Sequence, residues 1–246
     1  MNCFCPLCQL TYFVVQRDDI MDTVMELLGE LLLQITAYDQ KILKAIYDTM
    51  SHGTVGNMLD TVMPKITILG DMGIVWIILT LILLIPKKTR RTGAAMGVAM
   101  VIGLIVGNGI IKPLVARPRP FNISNTILPK DQLLISAPTD YSFPSGHTLA
   151  SFEAATALYK DHTLYGFAAF VLAILIAFSR IYLQVHYPSD VFGGAILGFL
   201  FGLLGSTIVR AVCDKWAERK AKKEAAAAAE AEKSSEESSE EAPQYH

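Results

Sequence analysis

Long apolar runs occupy most of the chain between residues 66 and 212, and they constrain its fold more than any other feature. A helix needs about 20 apolar residues to cross a hydrocarbon core about 30 Å thick. Five segments reach or approach that length, and they cover residues 66–86, 94–115, 147–159, 163–183 and 189–212. The composition agrees, because 52% of the 246 residues are hydrophobic and the mean hydropathy is +0.39. We therefore predict an all-α fold, a multi-pass transmembrane helical bundle.

The third apolar segment, 147–159, is shorter than the others and carries Glu153. A segment of this length is by itself typical of a buried core helix, but its position between two longer segments indicates that it also crosses the bilayer. Glycines at four-residue spacing in and beside the second and last segments favour close packing of helix backbones in lipid. They are Gly93, Gly97, Gly103, Gly107, Gly194, Gly198 and Gly202.

Four parts follow one another along the chain. Residues 1–20 form a leader of unclear role, and residues 21–63 place leucine and isoleucine at helical spacing among charged residues. Because charges interrupt every window long enough to cross, we predict an amphipathic N-terminal helical region in the interface or against the bundle rather than a sixth span. Residues 64–213 form the transmembrane domain. Residues 214–246 alternate basic, alanine-rich and acidic blocks, which predicts a solvated and largely disordered tail.

Three of the four cysteines crowd the leader, at Cys3, Cys5 and Cys8. Three ligands without a nearby histidine or fourth cysteine make an incomplete zinc site, and a disulfide framework normally shows an even, spread-out set. We therefore interpret the leader as non-structural, and a working chain that begins near Met21 is the alternative. The basic n-region and small-residue cleavage site of a cleavable signal peptide are both missing.

Basic residues between the apolar segments predict how the chain crosses the membrane. They follow the first and last segments, and cytoplasmic loops carry the excess of lysine and arginine. These residues are Lys87, Lys88, Arg90 and Arg91 in the first loop, and Lys215, Arg219, Lys220, Lys222 and Lys223 after the last segment. With five alternating crossings, residues 116–146 and 184–188 then lie on the outer face. We expect a cell-membrane protein with a cytoplasmic C-terminal tail.

Three polar clusters lie at the ends of apolar segments, all on this predicted outer face. Ionisable groups are costly at that depth, so their presence indicates a functional site. The clusters are Lys112 with Arg119, then Ser145, Gly146 and His147, then Arg180 with His186 and Asp190. Three cations, two imidazoles and a carboxylate suit the binding of a phosphate group and an attack on it.

The cations match the charge of a phosphate monoester, which is close to −2 at neutral pH. Arg119 and Arg180 each offer a planar fork of donors, and Lys112 adds a compact point charge. Prolines on both sides restrict Arg119 to extended or turn conformations. A lysine at a helix end often only extends to the headgroups, and for Lys112 alone this interpretation is equally good. Arg180 follows an unbroken apolar stretch, 171–178, where an unpaired guanidinium needs an anion.

Residues 145–147 lie where the outer loop turns into a helix. A helix start presents unpaired N–H groups and the positive end of the helix dipole, and Gly146 lets an anion approach the backbone. Ser145 can donate its hydroxyl to the same anion, and it can also cap the helix. His147 then lies beside the bound group as a candidate general acid.

His186 and Asp190 are four residues apart, and Pro188 between them opens the last helix. The imidazole and the carboxylate can therefore face one another across the first turn. A carboxylate bonded to one ring nitrogen fixes the tautomer and leaves the other nitrogen free to attack. We predict that His186 is a nucleophile oriented by Asp190.

Taken together, the clusters resemble the motifs of the type 2 phosphatidic acid phosphatase superfamily. Residues 112–120 read K-x6-R-P, residues 144–147 read P-S-G-H, and residues 179–190 read S-R-x5-H-x3-D. This superfamily includes lipid-phosphate phosphatases, undecaprenyl-pyrophosphate phosphatases, glucose-6-phosphatase and vanadium haloperoxidases. The resemblance covers approximately residues 66–212.

The resemblance implies a role for each matching residue in a catalytic domain at 64–213. His186 attacks phosphorus and becomes phosphorylated, Asp190 orients it, and His147 protonates the leaving oxygen. The phosphate is bound by Lys112, Arg119, Ser145, Gly146 and Arg180. The resemblance also implies that no metal and no other cofactor is required, and no carboxylate cluster in the sequence suits magnesium.

The predicted function is hydrolysis of a lipid phosphate or pyrophosphate, such as phosphatidic acid or undecaprenyl pyrophosphate, because a site at bilayer depth meets amphiphiles first. A lipid phosphotransferase is one alternative. A vanadate-dependent haloperoxidase is another, although those relatives are soluble. A non-enzymatic scaffold is the third, and the intact motifs weigh against it. The expected partners are the lipid substrate and the bilayer, with no nucleic acid, and the sequence identifies no protein partner.

Overall fold

The structure, a computed structural model, describes residues 6–124 and 126–240. Within these residues the chain is helical and contains no β-strand. The helices are α1 (Pro6–Met50), α2 (Gly53–Ile68), α3 (Ile74–Leu84), α4 (Arg90–Ile102), α5 (Lys112–Val115), α6 (Gly146–Asp161), α7 (Thr163–Tyr182) and α8 (Pro188–Glu240). A π-helical stretch, Gly103–Ile111, joins α4 to α5, and short 3-10 turns cover Asp71–Gly73, Pro120–Asn122 and Lys130–Gln132. The predicted all-α class is confirmed.

Helix α6 forms the centre of the bundle and packs against α4, α7 and α8. Its small residues Ala154, Ala155 and Ala157 are fully buried. The glycines of α8 face it at close range, since a Cβ on Gly198 would lie 2.6 Å from the carbonyl oxygen of Leu149. No side chain fits at that distance, so the predicted packing role of the glycines in the last helix is confirmed there.

Four helical segments of the described residues are long and apolar enough to cross a membrane. They are Gly53–Leu84, Arg90–Asn122, Thr163–Tyr182 and Pro188–Ala229. Each overlaps one of the apolar segments predicted from the sequence, and large apolar side chains such as Ile78 and Leu104 remain exposed on their outer faces. The chain is therefore a helical membrane protein.

Helix α6 differs from these four segments. Its 16 residues span about 24 Å, which is less than the roughly 30 Å of a hydrocarbon core. Most of its side chains from Thr148 to Leu158 are buried among the neighbouring helices. It therefore has the character of a buried core helix, as its length indicated, and its crossing of the bilayer stays a prediction.

The predicted amphipathic region is divided between two helices, because α1 ends at Met50 and α2 begins at Gly53. Helix α2 packs against the bundle through Leu59 and Met63, which join a buried apolar cluster with residues beyond α7. Helix α2 then ends at Ile68, inside the first predicted apolar segment. A short turn separates it from α3, so that segment is interrupted rather than continuous.

Helix α8 continues past its apolar part to Glu240, so residues 214–240 are helical where the sequence predicted a largely disordered tail. The side chains of residues 214–229 are exposed, as in a solvated segment. Cys213 is a free, half-buried thiol. Of the leader cysteines, Cys3 and Cys5 lie outside the described residues, and the side chain of Cys8 is not described.

Candidate active site

The predicted polar residues lie where α5 ends, α6 begins, α7 ends and α8 begins. The backbone turns sharply beside two of these helix ends, with φ of 47° at Ala116 and 58° at Gln184. Gly146 and His147 are half-buried. The other six predicted residues are buried, and they are Lys112, Arg119, Ser145, Arg180, His186 and Asp190.

His186 lies between a carboxylate and a guanidinium. Its Nδ1 is 3.5 Å from Oδ2 of Asp190, and its Nε2 is 3.2 Å from Nη1 of Arg119. The same carboxylate oxygen accepts hydrogen bonds from the Tyr187 N–H at 2.9 Å and the Ser142 hydroxyl at 2.5 Å. The predicted pairing of His186 with Asp190 is therefore present, and it leaves Nε2 as the ring nitrogen that faces the cations.

The pKa of His186 is lowered to about 3. Burial of the imidazole is the main cause, and the positive charges of Arg119 and Arg180 add to it, while Asp190 acts in the opposite direction. The ring is therefore neutral at physiological pH. A neutral imidazole keeps the lone pair that a nucleophile requires.

Arg119 makes the densest set of hydrogen bonds at the site. Its Nη1 donates to the carbonyl oxygen of Val185 at 2.7 Å, and its Nε donates to the carbonyl oxygen of Asp140 at 2.8 Å. Its Nη2 reaches Oδ1 of the Asp140 side chain at 2.7 Å, and Oδ2 of that side chain is 2.5 Å from Nζ of Lys112. A single carboxylate thus bridges two of the predicted phosphate-binding cations.

Asp140 was not predicted from the sequence. Its side chain is 50% exposed, and burial by itself would raise its pKa. The hydrogen bonds and charges of Lys112 and Arg119 outweigh that effect and lower the pKa to about 2. Asp140 is therefore ionised throughout the physiological range, and it occupies the position between the cations that suits an anionic ligand.

Ser145 and Gly146 begin α6 beside these cations. The Ser145 hydroxyl accepts a hydrogen bond from Oγ1 of Thr148 at 3.1 Å and does not cap the helix. A Cβ on Gly146 would lie 3.2 Å from Oδ1 of Asn108 and 3.8 Å from Nζ of Lys112. The start of α6 therefore approaches Lys112 closely, and the glycine keeps that approach open.

Arg180 contacts the end of α2, and His147 contacts the turn between α2 and α3. His147 Nε2 is 2.8 Å from Oδ1 of Asp71, and Arg180 Nη1 donates to Oγ1 of Thr67 at 2.6 Å. Arg119 and Arg180 are close enough to act electrostatically on the His147 ring. The Nε of Arg180 is buried and has no hydrogen-bond partner within the described part of the chain. A free guanidinium donor in this position suits an anion.

Arg117 was not among the predicted site residues, although its position with Arg119 on the predicted outer face, where basic residues are uncommon, indicated anion binding. Its Nη1 is 2.6 Å from Oδ1 of Asp190, and its Nη2 is 2.8 Å from Oδ2 of Asp39 on α1. Its guanidinium carbon lies 4.1 Å from the ring centroid of Tyr187. The repeated Arg-Pro pair at residues 117–120 was a usable signal, because both arginines follow the same helix end. Asp71 and Asp140 are single carboxylates in turns and carried no such signal.

No group of three or more His, Cys, Asp or Glu side chains is placed to hold a metal ion in the part of the chain that the structure describes. The two histidines of the site each face one carboxylate and the arginines instead. Metal independence stays a prediction, to be tested with a chelator.

Comparison with known proteins gives one matching family model, described as the PAP2 superfamily, over residues 92–212. Undecaprenyl-diphosphatase BcrC of Bacillus subtilis is 30% identical over 164 residues, which cover 67% of this chain and 80% of the relative. The undecaprenyl-diphosphatase of Sulfolobus acidocaldarius is 38% identical over 135 residues, which cover 54% of this chain and 63% of the relative. The latter match thus spans less than two thirds of that relative's length.

A solved structure has a similar fold. It is that of the first transmembrane PAP2 type phosphatidylglycerolphosphate phosphatase from Bacillus subtilis, with a TM-score of 0.56 and 26% sequence identity. The superposition covers 74% of this chain and 87% of the other. All three predicted motifs fall within the segment that the family model matches.

Proposed function

Because the chain belongs to the PAP2 superfamily, we propose that it is a membrane phosphatase that hydrolyses a lipid diphosphate through a phosphohistidine intermediate. The observation that carries this proposal is the neutral imidazole of His186, placed between Asp190 and Arg119. Lipid diphosphate is the preferred substrate class because two relatives are named as undecaprenyl-diphosphatases.

The phosphate binds in a cation cradle, which we define as Lys112, Arg119 and Arg180. Its oxygens replace the carboxylate of Asp140 on the first two residues and accept the unpaired Nε–H of Arg180. The N–H groups at the start of α6, beside Gly146, and the Ser145 hydroxyl complete the binding site. These donors offset the charge of the phosphoryl group as it transfers.

The reaction then proceeds in two steps. The Nε2 lone pair of His186 attacks phosphorus, the bond between phosphorus and the leaving oxygen breaks, and His147 gives that oxygen a proton. In the second step His147 takes a proton from water, whose oxygen attacks phosphorus and releases inorganic phosphate from His186. Asp190 holds the imidazole through Nδ1 in both steps, so Nε2 stays directed at the phosphate.

The proposed outer-face location is supported by the arrangement of charges along α6. The site lies at its first turn, whereas Asp161 near its other end accepts hydrogen bonds from Thr92 at 2.8 Å and Arg210 at 2.9 Å. Arg91 pairs with Asp214 at that same end, at 3.5 Å. The basic segments predicted to be cytoplasmic therefore gather opposite the site.

Phosphate release by purified protein in detergent tests this function. The substrates are undecaprenyl pyrophosphate, phosphatidic acid, phosphatidylglycerol phosphate and a soluble phosphate ester, each with and without a chelator. We expect the lipid diphosphate to be turned over fastest and the chelator to have no effect. Products analysed with an acceptor lipid present distinguish hydrolysis from phosphotransfer. Release that requires an acceptor lipid, or that stops with the chelator, would contradict the proposal.

Replacing Asp140 with asparagine is expected to tighten inhibition by inorganic phosphate. The wild-type carboxylate competes with phosphate for Lys112 and Arg119, and a half-exposed ion pair is worth up to about 1 kcal/mol, which corresponds to about fivefold in affinity. Because the pKa of Asp140 is about 2, the competition should persist between about pH 4 and 9.

The inhibition constant for phosphate, measured with a fixed substrate, checks this expectation. Asp131, an exposed aspartate in the same outer loop, provides the control Asp131→Asn. Equal inhibition constants for Asp140→Asn and the wild type would show that Asp140 does not occupy the phosphate position.

Removing residues 217–246 is expected to leave kcat/KM essentially unchanged. The described side chains of this segment, through Ala229, are exposed and make no contact with the site. Phosphate release by the truncated protein in detergent checks this. A complete loss of activity in a truncated protein with an unchanged melting temperature would assign the segment a role in turnover.

A further inference from the structure

The end of α2 and the turn that follows it contribute polar groups to the site, although both lie before the segment 92–212 that the family model matches. Thr67 accepts a hydrogen bond from Arg180, and Asp71 bonds to His147. Gly70 lies against the histidine ring, since a Cβ there would be 2.7 Å from Cδ2 of His147. One residue at the end of α2 and two residues of the turn thus contact two residues of the proposed site.

The backbone of this turn is shaped to present Asp71. Met72 has φ of 49° and Gly73 has φ of 68°, so two successive residues adopt the left-handed region. For a residue with a Cβ, such as Met72, this conformation costs on the order of 1 kcal/mol. The turn is therefore an unfavourable local conformation that places a carboxylate 2.8 Å from His147.

The bond to Asp71 determines which nitrogen of His147 is available. An ionised carboxylate only accepts hydrogen bonds, so the Nε2 that faces Asp71 carries a proton. The other nitrogen, Nδ1, is then the one that exchanges a proton with the reacting oxygens. Asp71 also offsets the positive charges of Arg180 and Arg119, which act on the same ring and disfavour the imidazolium that a general acid needs.

We propose that Asp71 is a positioning residue for His147, so that the site contains two histidine–aspartate pairs, His186 with Asp190 and His147 with Asp71. The inference rests on the proposed function, in which His147 protonates the leaving oxygen. Nε2 keeps its hydrogen bond to Asp71 throughout, while the Nδ1 proton moves to the leaving oxygen and is later replaced from water.

A pair of substrates that differ in leaving group tests this role. One is dodecyl phosphate, whose alkoxide needs protonation, and the other is a dodecyl-substituted nitrophenyl phosphate, whose phenolate leaves without it. Values of kcat/KM report the step that breaks the phosphorus–oxygen bond. In Asp71→Asn we expect kcat/KM for the alkyl phosphate to fall about 10- to 100-fold, a part of the 10² to 10⁴ that general acid catalysis contributes. For the nitrophenyl substrate we expect a fall of less than about threefold.

Two controls separate positioning from a structural role. Asp60 lies on α2 and accepts a hydrogen bond from the Tyr182 hydroxyl at 2.7 Å without contacting His147. Asp60→Asn should therefore change kcat/KM for the two substrates by the same factor. In a His147→Ala background, Asp71→Asn should cause almost no further fall in kcat/KM for the alkyl phosphate. A fall of equal size for the two substrates in Asp71→Asn, or an undiminished effect in the His147→Ala background, overturns the proposal.

The proposed function fails in a different way. If the wild type releases phosphate neither from these two substrates nor from undecaprenyl pyrophosphate, or if His186→Ala hydrolyses both substrates as fast as the wild type, the phosphatase assignment is wrong whatever Asp71 does. If the wild type is active and its activity depends on His186, the ratio of kcat/KM for the two substrates tests the role of Asp71 alone. Asp71→Glu, which keeps the carboxylate, should recover part of the alkyl phosphate activity when Asp71→Asn does not.

Discussion

Replacing His186 with alanine is expected to abolish turnover, with kcat reduced by about 10⁴-fold or more. The methyl group of alanine cannot attack phosphorus, and no second imidazole of the described chain faces both Asp190 and Arg119. Binding of the substrate should survive, because the cation cradle remains. The expected result is therefore a protein that binds the lipid phosphate but releases no inorganic phosphate.

Trapping of the phosphorylated enzyme checks this expectation directly. Wild-type protein mixed with substrate labelled in the transferred phosphate and quenched in alkali should carry a label that is stable to base and labile to acid. His186→Ala should carry none. The matched control is His162→Ala, because His162 precedes α7 at the opposite end of α6 and contacts only the ring of Tyr165 among aromatic neighbours.

A melting curve of each variant separates lost chemistry from lost folding, since His186 is only 1% exposed. If alanine destabilises the fold, His186→Asn retains most of the volume and still lacks a nucleophilic ring nitrogen. Full labelling or phosphate release in a folded variant at residue 186 would refute the assignment of the nucleophile.

The features that could be predicted are those determined by residues that are close together in the sequence. Apolar length predicted four of the membrane-crossing segments, because the need to satisfy backbone hydrogen bonds in lipid leaves only a helix for such runs. The pair of His186 and Asp190 was also predictable from local sequence. The two residues are four apart around the start of α8, and this spacing brings both side chains to one face.

Distant contacts were not predictable from one sequence. Asp71 contacts His147 across 76 residues and Arg117 contacts Asp39 across 78, and no helical or apolar pattern predicts which residues so far apart will meet. The interruption between α2 and α3 depends on the left-handed backbone conformation of Met72. Methionine rarely adopts this conformation, so the sequence does not predict it there. Asp140 lies in the long loop between α5 and α6, where the sequence contains no periodicity that predicts its position.

The cations that the sequence singled out lie near one another in the structure, but the sequence did not predict the groups that pair with them. Lys112, Arg119 and Arg180 were predicted to bind a phosphate, whereas in the structure Lys112 and Arg119 share Asp140, and Arg180 donates to Thr67. Buried cations in a protein are normally paired, so additional carboxylates and hydroxyls near the site follow from the same physical rule that predicted the site.

Replacing Arg117 with glutamine is expected to destabilise the protein by about 3 to 5 kcal/mol, the usual cost of breaking a buried ion pair. Arg117 is 7% exposed and lies between two buried carboxylates, Asp39 on α1 and Asp190 on α8. Glutamine leaves both without a counter-charge. Because Asp190 orients His186, kcat should fall as well, by at least about tenfold if 1.4 kcal/mol of the loss acts on the transition state.

Thermal melting in detergent and phosphate release from the same preparations measure the two effects. The control is Arg210→Gln, because Arg210 forms a comparable 2.9 Å pair with Asp161 but is 42% exposed, and a pair of that kind contributes about 0 to 1 kcal/mol.

The double variant Arg117→Gln with Asp39→Asn provides the sharper measurement, since it removes one of the two unpaired charges together with the arginine. Its stability should exceed that of Arg117→Gln alone, although the single change Asp39→Asn is itself destabilising. Helix α1 lies outside the matched segment 92–212 and contacts the catalytic pair through this arginine. If Arg117→Gln has the same melting temperature as the Arg210→Gln control, the ion pair does not hold α1 against α8, and the hydrogen bonds that Ser189 donates to Asp39 become the polar contact that joins the two helices.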